Sequence, residues 1–428
     1  MQLYRRERYL SRMRGFYHDE GLIKVVTGVR RSGKSCLMRT VALELEEAGV
    51  ESSRIVFIDL DSLEHRKVRD ADALEALVRR LAPPSPTSSA NGPASMGSGP
   101  SESAPTTYLF IDEIQNVTGF EEVVNALRGD GGFSIFITGS NSWLLSGELA
   151  TKLTGRYIAF ELFTLDFAEY LDMKRMLGKP IDGNVDAEFA SYLQEGGFPK
   201  AVSYDTLADK RAYSRAVVEE VFERDVRRNR IVRHLSTFDA VRDHLVGNFG
   251  ATTSVTALLA NLEREAGVRL KRDTLDRYIQ ILVDAKILYR VKRFDTKSRR
   301  ALRGEQKYYL ADLSFFHALG TDDRTNWGPA LENVVHNYAR SLGYSASVGR
   351  IGDLECDFVL RDEALDYSYV QVARTIASAD TAEREFRSLE RIRDAWPKYV
   401  LTMDRPTAGR NGVRHLNLVD FLAGETRF

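Results

Sequence analysis

The sequence predicts an α/β protein built on a parallel sheet, followed by a helical connector and two smaller domains. Three observations carry that prediction. Gly28-Val-Arg-Arg-Ser-Gly-Lys-Ser35 fits the pattern G-x-x-x-x-G-K-[ST] and stands between an apolar run, residues 22–27, and a helix-like segment, residues 36–45. Five short apolar runs alternate with helical stretches over residues 1–165, as in sheets covered on both faces. One of them, Tyr108-Leu-Phe-Ile, ends on Asp112-Glu113 and brings two carboxylates to the carboxyl edge, where open α/β sheets bind ligands.

A chain of 428 residues has the length for about three domains. Its 43% hydrophobic and 28% charged content is that of an ordinary globular protein. A net charge of −1 points to no partner for the molecule as a whole, so any nucleic-acid surface must come from local asymmetry. Two cysteines far apart, Cys36 and Cys356, read as free buried thiols in a reducing compartment. With no run of eighteen apolar residues and charges scattered through the N-terminus, neither a membrane span nor a signal peptide is expected, and the expected location is the cytoplasm.

Residues 1–20 read as a short basic amphipathic helix with Leu3, Tyr4, Tyr9, Leu10 and Met13 on one side. At the glycine-rich turn, a strand that opens directly into a helix leaves several backbone N–H groups converging on one point, which suits an anion. The nucleotide-contacting stretch is Gly28, Val29, Arg30, Arg31, Ser32, Gly33, Lys34, Ser35 and Cys36. In it Gly28 and Gly33 permit the tight backbone, Lys34 sits against the β- and γ-phosphates, and the Ser35 hydroxyl ligates Mg²⁺. ATP and Mg²⁺ are therefore the expected cofactors.

Residues 54–60 form a second strand and residues 63–81 a helix; the Pro/Ser/Gly/Ala/Thr-rich residues 83–107 form a disordered insertion. After the third strand Asp112 holds the metal through water and Glu113 polarises the attacking water. A fourth strand, residues 133–138, runs into Gly139-Ser-Asn141-Ser142. Asn141 is a candidate contact to the γ-phosphate and the attacking water, and the same residues also read as a turn capping a helix at 143–152. Arg156 stands immediately before the fifth strand, residues 157–163.

Together with Asp166-Phe-Ala-Glu-Tyr170, Glu195-Gly-Gly-Phe-Pro199 and Glu223-Arg-Asp225, these motifs make the chain resemble the prokaryotic AAA-type ATPases that carry an uncharacterised C-terminal domain. The resemblance spans nearly the whole sequence. It implies an AAA-type P-loop NTPase fold for residues 1–165, with the first strand central and beside the fourth. It also implies a homo-oligomer in which the arginine before the fifth strand, here Arg156, reaches a neighbouring subunit's γ-phosphate. Capping a helix end or pairing with a local acid is the alternative role for Arg156.

Residues 166–235 form the helical connector. Residues 236–310 read as three helices and a hairpin, the outline of a winged helix, and hold 15 Lys and Arg against 9 Asp and Glu. Most of the excess sits at Lys292, Arg293, Lys297, Arg299, Arg300 and Arg303, so double-stranded DNA is the expected partner of residues 269–303. A solvated face or a protein-docking module is the alternative. Residues 325–428 are, through the family resemblance, similar to a restriction-endonuclease-like core. Glu332 and Asp357 match two of its acidic positions, but Gln371 and Ala373 stand where a third acid and a lysine belong, so this nuclease core is degenerate and expected to be inactive. The seven histidines show no metal-ligand spacing and read as structural.

The expected activity is Mg²⁺-dependent ATP binding and hydrolysis coupled to DNA binding through the winged helix. Two alternatives stand beside it: a nucleotide-dependent switch or scaffold docking a protein partner in defence, toxin control or signalling, and, ranked last, an ATP-dependent nuclease.

Overall fold

The computed structural model describes residues 3–82, 105–139, 153–227, 232, 234–320 and 326–428, with backbone alone at 225–227 and 303. They form two compact units, Met1–Gly28 with Gly33–Leu162, and Val29–Ser32 with Phe163–Phe428.

In the first unit, α1 (Glu7–Met13) precedes β1 (Ile23–Thr27), α2 (Lys34–Glu47), β2 (Ile55–Asp59), α3 (Ala71–Leu81), β3 (Thr107–Asp112), α4 (Phe120–Asp130), β4 (Phe133–Thr138) and β5 (Tyr157–Glu161). All five strands are parallel, in the order β2-β3-β4-β1-β5. The first strand is thus an inner strand between the fourth and the fifth, so it lies beside the fourth as the AAA resemblance implies, while the middle of the sheet is β4. Successive side chains of a strand point to opposite faces, and the two halves of the core follow that period of two. Val25, Ile58, Leu109, Ile111, Ile135 and Ile137 pack with Leu74 and Val78 of α3 and Val124 of α4. Val26, Tyr108, Phe110 and Phe136 pack with Leu10 of α1 and Met38 and Val41 of α2. Each such side chain contributes about 1.5–3 kcal/mol when fully buried, so the sheet is anchored on both faces and its carboxyl edge is held rigidly.

The helix expected at 63–81 begins only at Ala71. Asp70 supplies the reason, because its carboxylate accepts the Ala73 N–H at 2.9 Å and caps the first turn; Leu63 is left 81% exposed. Of the insertion expected at 83–107, residues 83–104 lie outside the described residues, and Thr107 already belongs to β3. The helix expected at 143–152 also lies outside them. Cys356 is buried as expected, whereas Cys36 is exposed on the first turn of α2.

The second unit opens with α5 (Phe167–Met176), α6 (Val185–Glu195), α7 (Pro199–Val202) and α8 (Leu207–Val221), and α8 continues into a π-helical turn, Phe222–Arg227. Asp166 and Glu169 form a reciprocal capping box at the start of α5. The glycine pair of the Glu195–Pro199 motif has a packing cause. A Cβ on Gly196 would overlap the Asp312 carboxylate and one on Gly197 the Leu165 carbonyl, while the Gly197 N–H donates to Asp312 Oδ2 at 2.8 Å. Glu195 accepts the Tyr170 hydroxyl at 2.7 Å and Lys210 Nζ at 2.6 Å, tying α5 and α8 to the end of α6.

Three further helices follow, α9 (Leu235–Gly247), α10 (Val255–Ala266) and α11 (Arg272–Asp284), then the hairpin β6 (Leu288–Asp295) and β7 (Arg300–Leu310). The last part comprises α12 (Ser314–Leu319), α13 (Trp327–Ser341), β8 (Ser345–Ile351), β9 (Leu354–Arg361), β10 (Tyr367–Val372), α14 (Ala379–Glu390), β11 (Lys398–Thr402), β12 (Arg414–Asn417) and α15 (Leu418–Ala423). The hairpin does not stand apart from these strands. β6 pairs in parallel with β8 through Arg293–Asp295, producing one seven-stranded sheet in the order β12-β11-β10-β9-β8-β6-β7. Among the described residues, no helix is long and apolar enough to cross a membrane.

Candidate nucleotide-binding site

The loop between β1 and α2 has the backbone that its glycines were expected to permit. Gly28 (φ 143°) and Gly33 (φ 103°) both take positive φ, and so does Arg31 (φ 64°), which its sequence position did not announce. Gly33 is the N-cap of α2 and brings no side chain to cap the helix; a helix start of this kind is suited to an anion. Lys34, the first residue of α2, is only 4% exposed and its Nζ donates to the Gly28 carbonyl at 3.0 Å. The ammonium is therefore folded back over the loop it is expected to serve.

Behind the loop stands the carboxyl end of β3. Asp112 is buried and accepts hydrogen bonds from the Ser35 and Thr138 hydroxyls. Burial pushes its carboxyl up, the two hydroxyls hold it down, and neighbouring Glu113 and Asp59 push it further up. A carboxylate crowded by two other acids and already touching the Ser35 hydroxyl fits a divalent cation, which would relieve the repulsion. Ser35 and Asp112 are the residues that would hold Mg²⁺. Glu113 takes a left-handed backbone (φ 55°), donates its N–H to Thr138 Oγ1 at 3.0 Å and receives the Gln115 side-chain amide on its carboxylate. A non-glycine residue in that conformation carries strain, which here turns the chain sharply after Asp112. Thr138 thus braces both acids.

Residues 20–171 match the AAA domain family, and residues 186–326 match a domain of unknown function. An uncharacterized protein of Haemophilus influenzae is 32% identical over 398 residues, which cover 93% of this chain and 92% of that protein. The chain belongs to a family of AAA-domain proteins. An uncharacterized protein of Methanocaldococcus jannaschii shares 30% identity over 295 residues, 67% of this chain and 65% of that protein. Among solved structures, a Walker-type ATPase of Pyrococcus abyssi overlays with a TM-score of 0.49 at 16% identity, covering 74% of this chain and 98% of that one.

Within this AAA-domain protein the remaining candidates fall in different places. Asn141 lies outside the described residues. Arg156 is exposed immediately before β5, whose first residue Tyr157 pairs with Ile23 at the start of β1, and the Arg156 carbonyl accepts the Ile23 N–H at 2.9 Å. Because β5 is five residues long, roughly 17 Å of strand at about 3.3 Å per residue, Arg156 is at the edge of the sheet opposite the loop of its own chain.

The acidic positions of the C-terminal part converge on an ammonium group that sequence reasoning missed. Lys307, from β7 of the hairpin, lies 3.0 Å from Glu332, 3.2 Å from Glu355 and 3.4 Å from Asp357. Its spacing from these acids in sequence gives no signal, since β7, α13 and β9 meet only through the folded sheet. Burial alone would lower the Lys307 pKa, but the three carboxylates raise it. Burial also pushes Asp357 and Glu332 up, and crowding among the acids adds to it. Three carboxylates sharing one ammonium keep an excess of negative charge, so both directions hold together. Gln371 donates to Glu385 at 2.8 Å, and Val372 N–H bonds Asp357 at 2.9 Å. Among the described residues no group of three or more His, Cys, Asp and Glu side chains could hold a metal ion.

Replacing Lys307 with Met leaves Glu332 and Asp357 buried without their counter-charge. The expected loss is about 3–5 kcal/mol of stability, read as a lowered urea midpoint and partly recovered by adding Asp357→Asn. A midpoint unchanged in Lys307→Met would contradict this reading of the cluster.

Proposed function

We propose that the protein is a Mg²⁺-dependent ATPase whose nucleotide state is coupled to binding of double-stranded DNA. The single observation that carries the first half is the Ser35–Asp112–Thr138 hydrogen-bonded group standing behind a glycine loop that opens α2. Bound Mg²⁺ would neutralise charge on the β- and γ-phosphates. The chain's own work is positioning and charge stabilisation: loop N–H groups and Lys34 bind and orient the phosphates, Ser35 and Asp112 place the metal, and Glu113 polarises the attacking water.

The DNA half rests on the exposed side chains of Lys292, Lys297, Arg299 and Arg300 on and beside the hairpin, and Lys271 and Arg272 at the start of α11. Three helices ahead of a basic hairpin support a winged helix, with Thr253 bridging Gln306 across its base. Arg293 does not join that surface, because Glu305 and Glu355 hold it. Nuclease chemistry is not part of the proposal, since the Lys307 ammonium stands among the carboxylates that would have to hold a metal.

Arg156, at the far edge of its own sheet, supports action on a neighbouring subunit in a homo-oligomer. Mixing Arg156→Ala with Lys34→Ala subunits is then expected to restore part of the ATP turnover each lacks alone, and no recovery at any mixing ratio would refute a role in trans.

For the reaction itself, Glu113→Gln is expected to lower kcat about 10²–10⁴-fold while ATP stays bound, and Lys34→Ala to weaken ATP binding about tenfold or more. Double-stranded DNA is expected to stimulate turnover, and removing each of Lys297, Arg299 and Arg300 to reduce the salt slope of DNA binding by about 1. Wild-type turnover in Glu113→Gln would remove the assignment of Glu113. Turnover indifferent to DNA, with no salt-dependent mobility shift, would replace DNA by a protein partner.

A further inference from the structure

The tip of the phosphate loop, Val29–Ser32, belongs to the second compact unit, as does α8. Within that unit Glu220, near the end of α8, is surrounded by arginines. Its Oε2 accepts both Nε (3.1 Å) and Nη2 (2.9 Å) of Arg31, while Arg30 Nη1 stands 4.0 Å and Arg224 Nε 3.6 Å from Oε1. One carboxylate therefore faces three guanidinium groups, two of them belonging to the loop. Arg31 is also the loop's non-glycine residue with a left-handed backbone. After Val221, the residue that follows Glu220, α8 changes to the π-helical turn that carries Arg224; such turns recur at functional positions in helices.

We propose that Glu220 is a positioning residue for the phosphate loop. An ion pair with an exposed partner adds little by itself, and Arg31 is 57% exposed. Its effect lies in what it selects. A left-handed arginine persists only where its surroundings over-determine it, and alternation of right- and left-handed residues is what turns successive N–H groups toward one anion. By holding the Arg31 side chain from two nitrogens, with Arg30 alongside, Glu220 fixes the loop in that form before any phosphate arrives. Ordering completed in advance is not charged against binding. The loop cradles the phosphates that ATP and ADP share, so both nucleotides should feel the loss of Glu220 alike, and the chemical step, which belongs to Glu113 and the metal, should not.

This inference rests on the ATP-binding reading above, and the test separates the two. Dissociation constants of labelled ATP and ADP, and kcat at saturating ATP, are measured for the full-length wild type, Glu220→Gln, Arg31→Ala and the double variant, with thermal melting as the check on folding. Glu220→Gln is expected to raise both dissociation constants about three- to fivefold and to leave kcat within about twofold. In the Arg31→Ala background the same change is expected to add nothing further. Unchanged or tighter binding by Glu220→Gln overturns the proposal, tighter binding meaning that Glu220 merely repels phosphate. Independent, additive effects of the two substitutions also overturn it. A wild type that binds neither nucleotide refutes the ATP-binding reading itself.

Discussion

The hydrogen bonds that Asp112 receives from Ser35 and Thr138 are the constraint on which the site depends. They join the first turn of α2 to the carboxyl ends of two neighbouring strands, so the loop, the Ser35 hydroxyl and the acid beside it cannot drift apart independently. Asp112 is costly to bury as an anion. The sheet bears that cost because its strands are packed by apolar side chains on both faces, Leu109 and Ile111 on one and Tyr108 and Phe110 on the other. The cost is also what fits the position to a divalent cation.

Much of this was legible in the residues. The short apolar runs located all five strands, and the glycine spacing located the loop, because both signals are local and periodic. The start of α3 was less legible: helix-like periodicity extends back toward Leu63, yet the capping carboxylate of Asp70 decides where the helix begins. Arg31 and Glu113 could not be singled out as left-handed, because neither is a glycine, the residue type that takes positive φ without steric cost. Thr138 was visible only as the last residue of the fourth strand; its two hydrogen bonds give it a job that this position did not state.

The C-terminal half was harder for a general reason. Parallel pairing between distant strands leaves no mark on either, so nothing in residues 288–295 forecasts that β6 would lie beside β8. The same pairing brings Lys307 to Glu332 and Asp357. The missing lysine of the degenerate motif was sought two residues beyond Gln371, while a buried ammonium reaches the acids from another strand altogether. Arg293, counted among the basic residues of the hairpin, is turned to Glu305 and Glu355 by that arrangement. Residue counts locate charge along the chain; only the fold decides which charges remain for a partner.

In the proposed function, main-chain amides, the Lys34 ammonium and a metal held by Ser35 and Asp112 together neutralise a nucleoside triphosphate. Equilibrium titration of the purified protein with labelled ATP, with magnesium and then with the metal chelated, tests it most directly. Saturable binding that tightens when magnesium is present is the result this account predicts. No saturable binding in the presence of magnesium would contradict it.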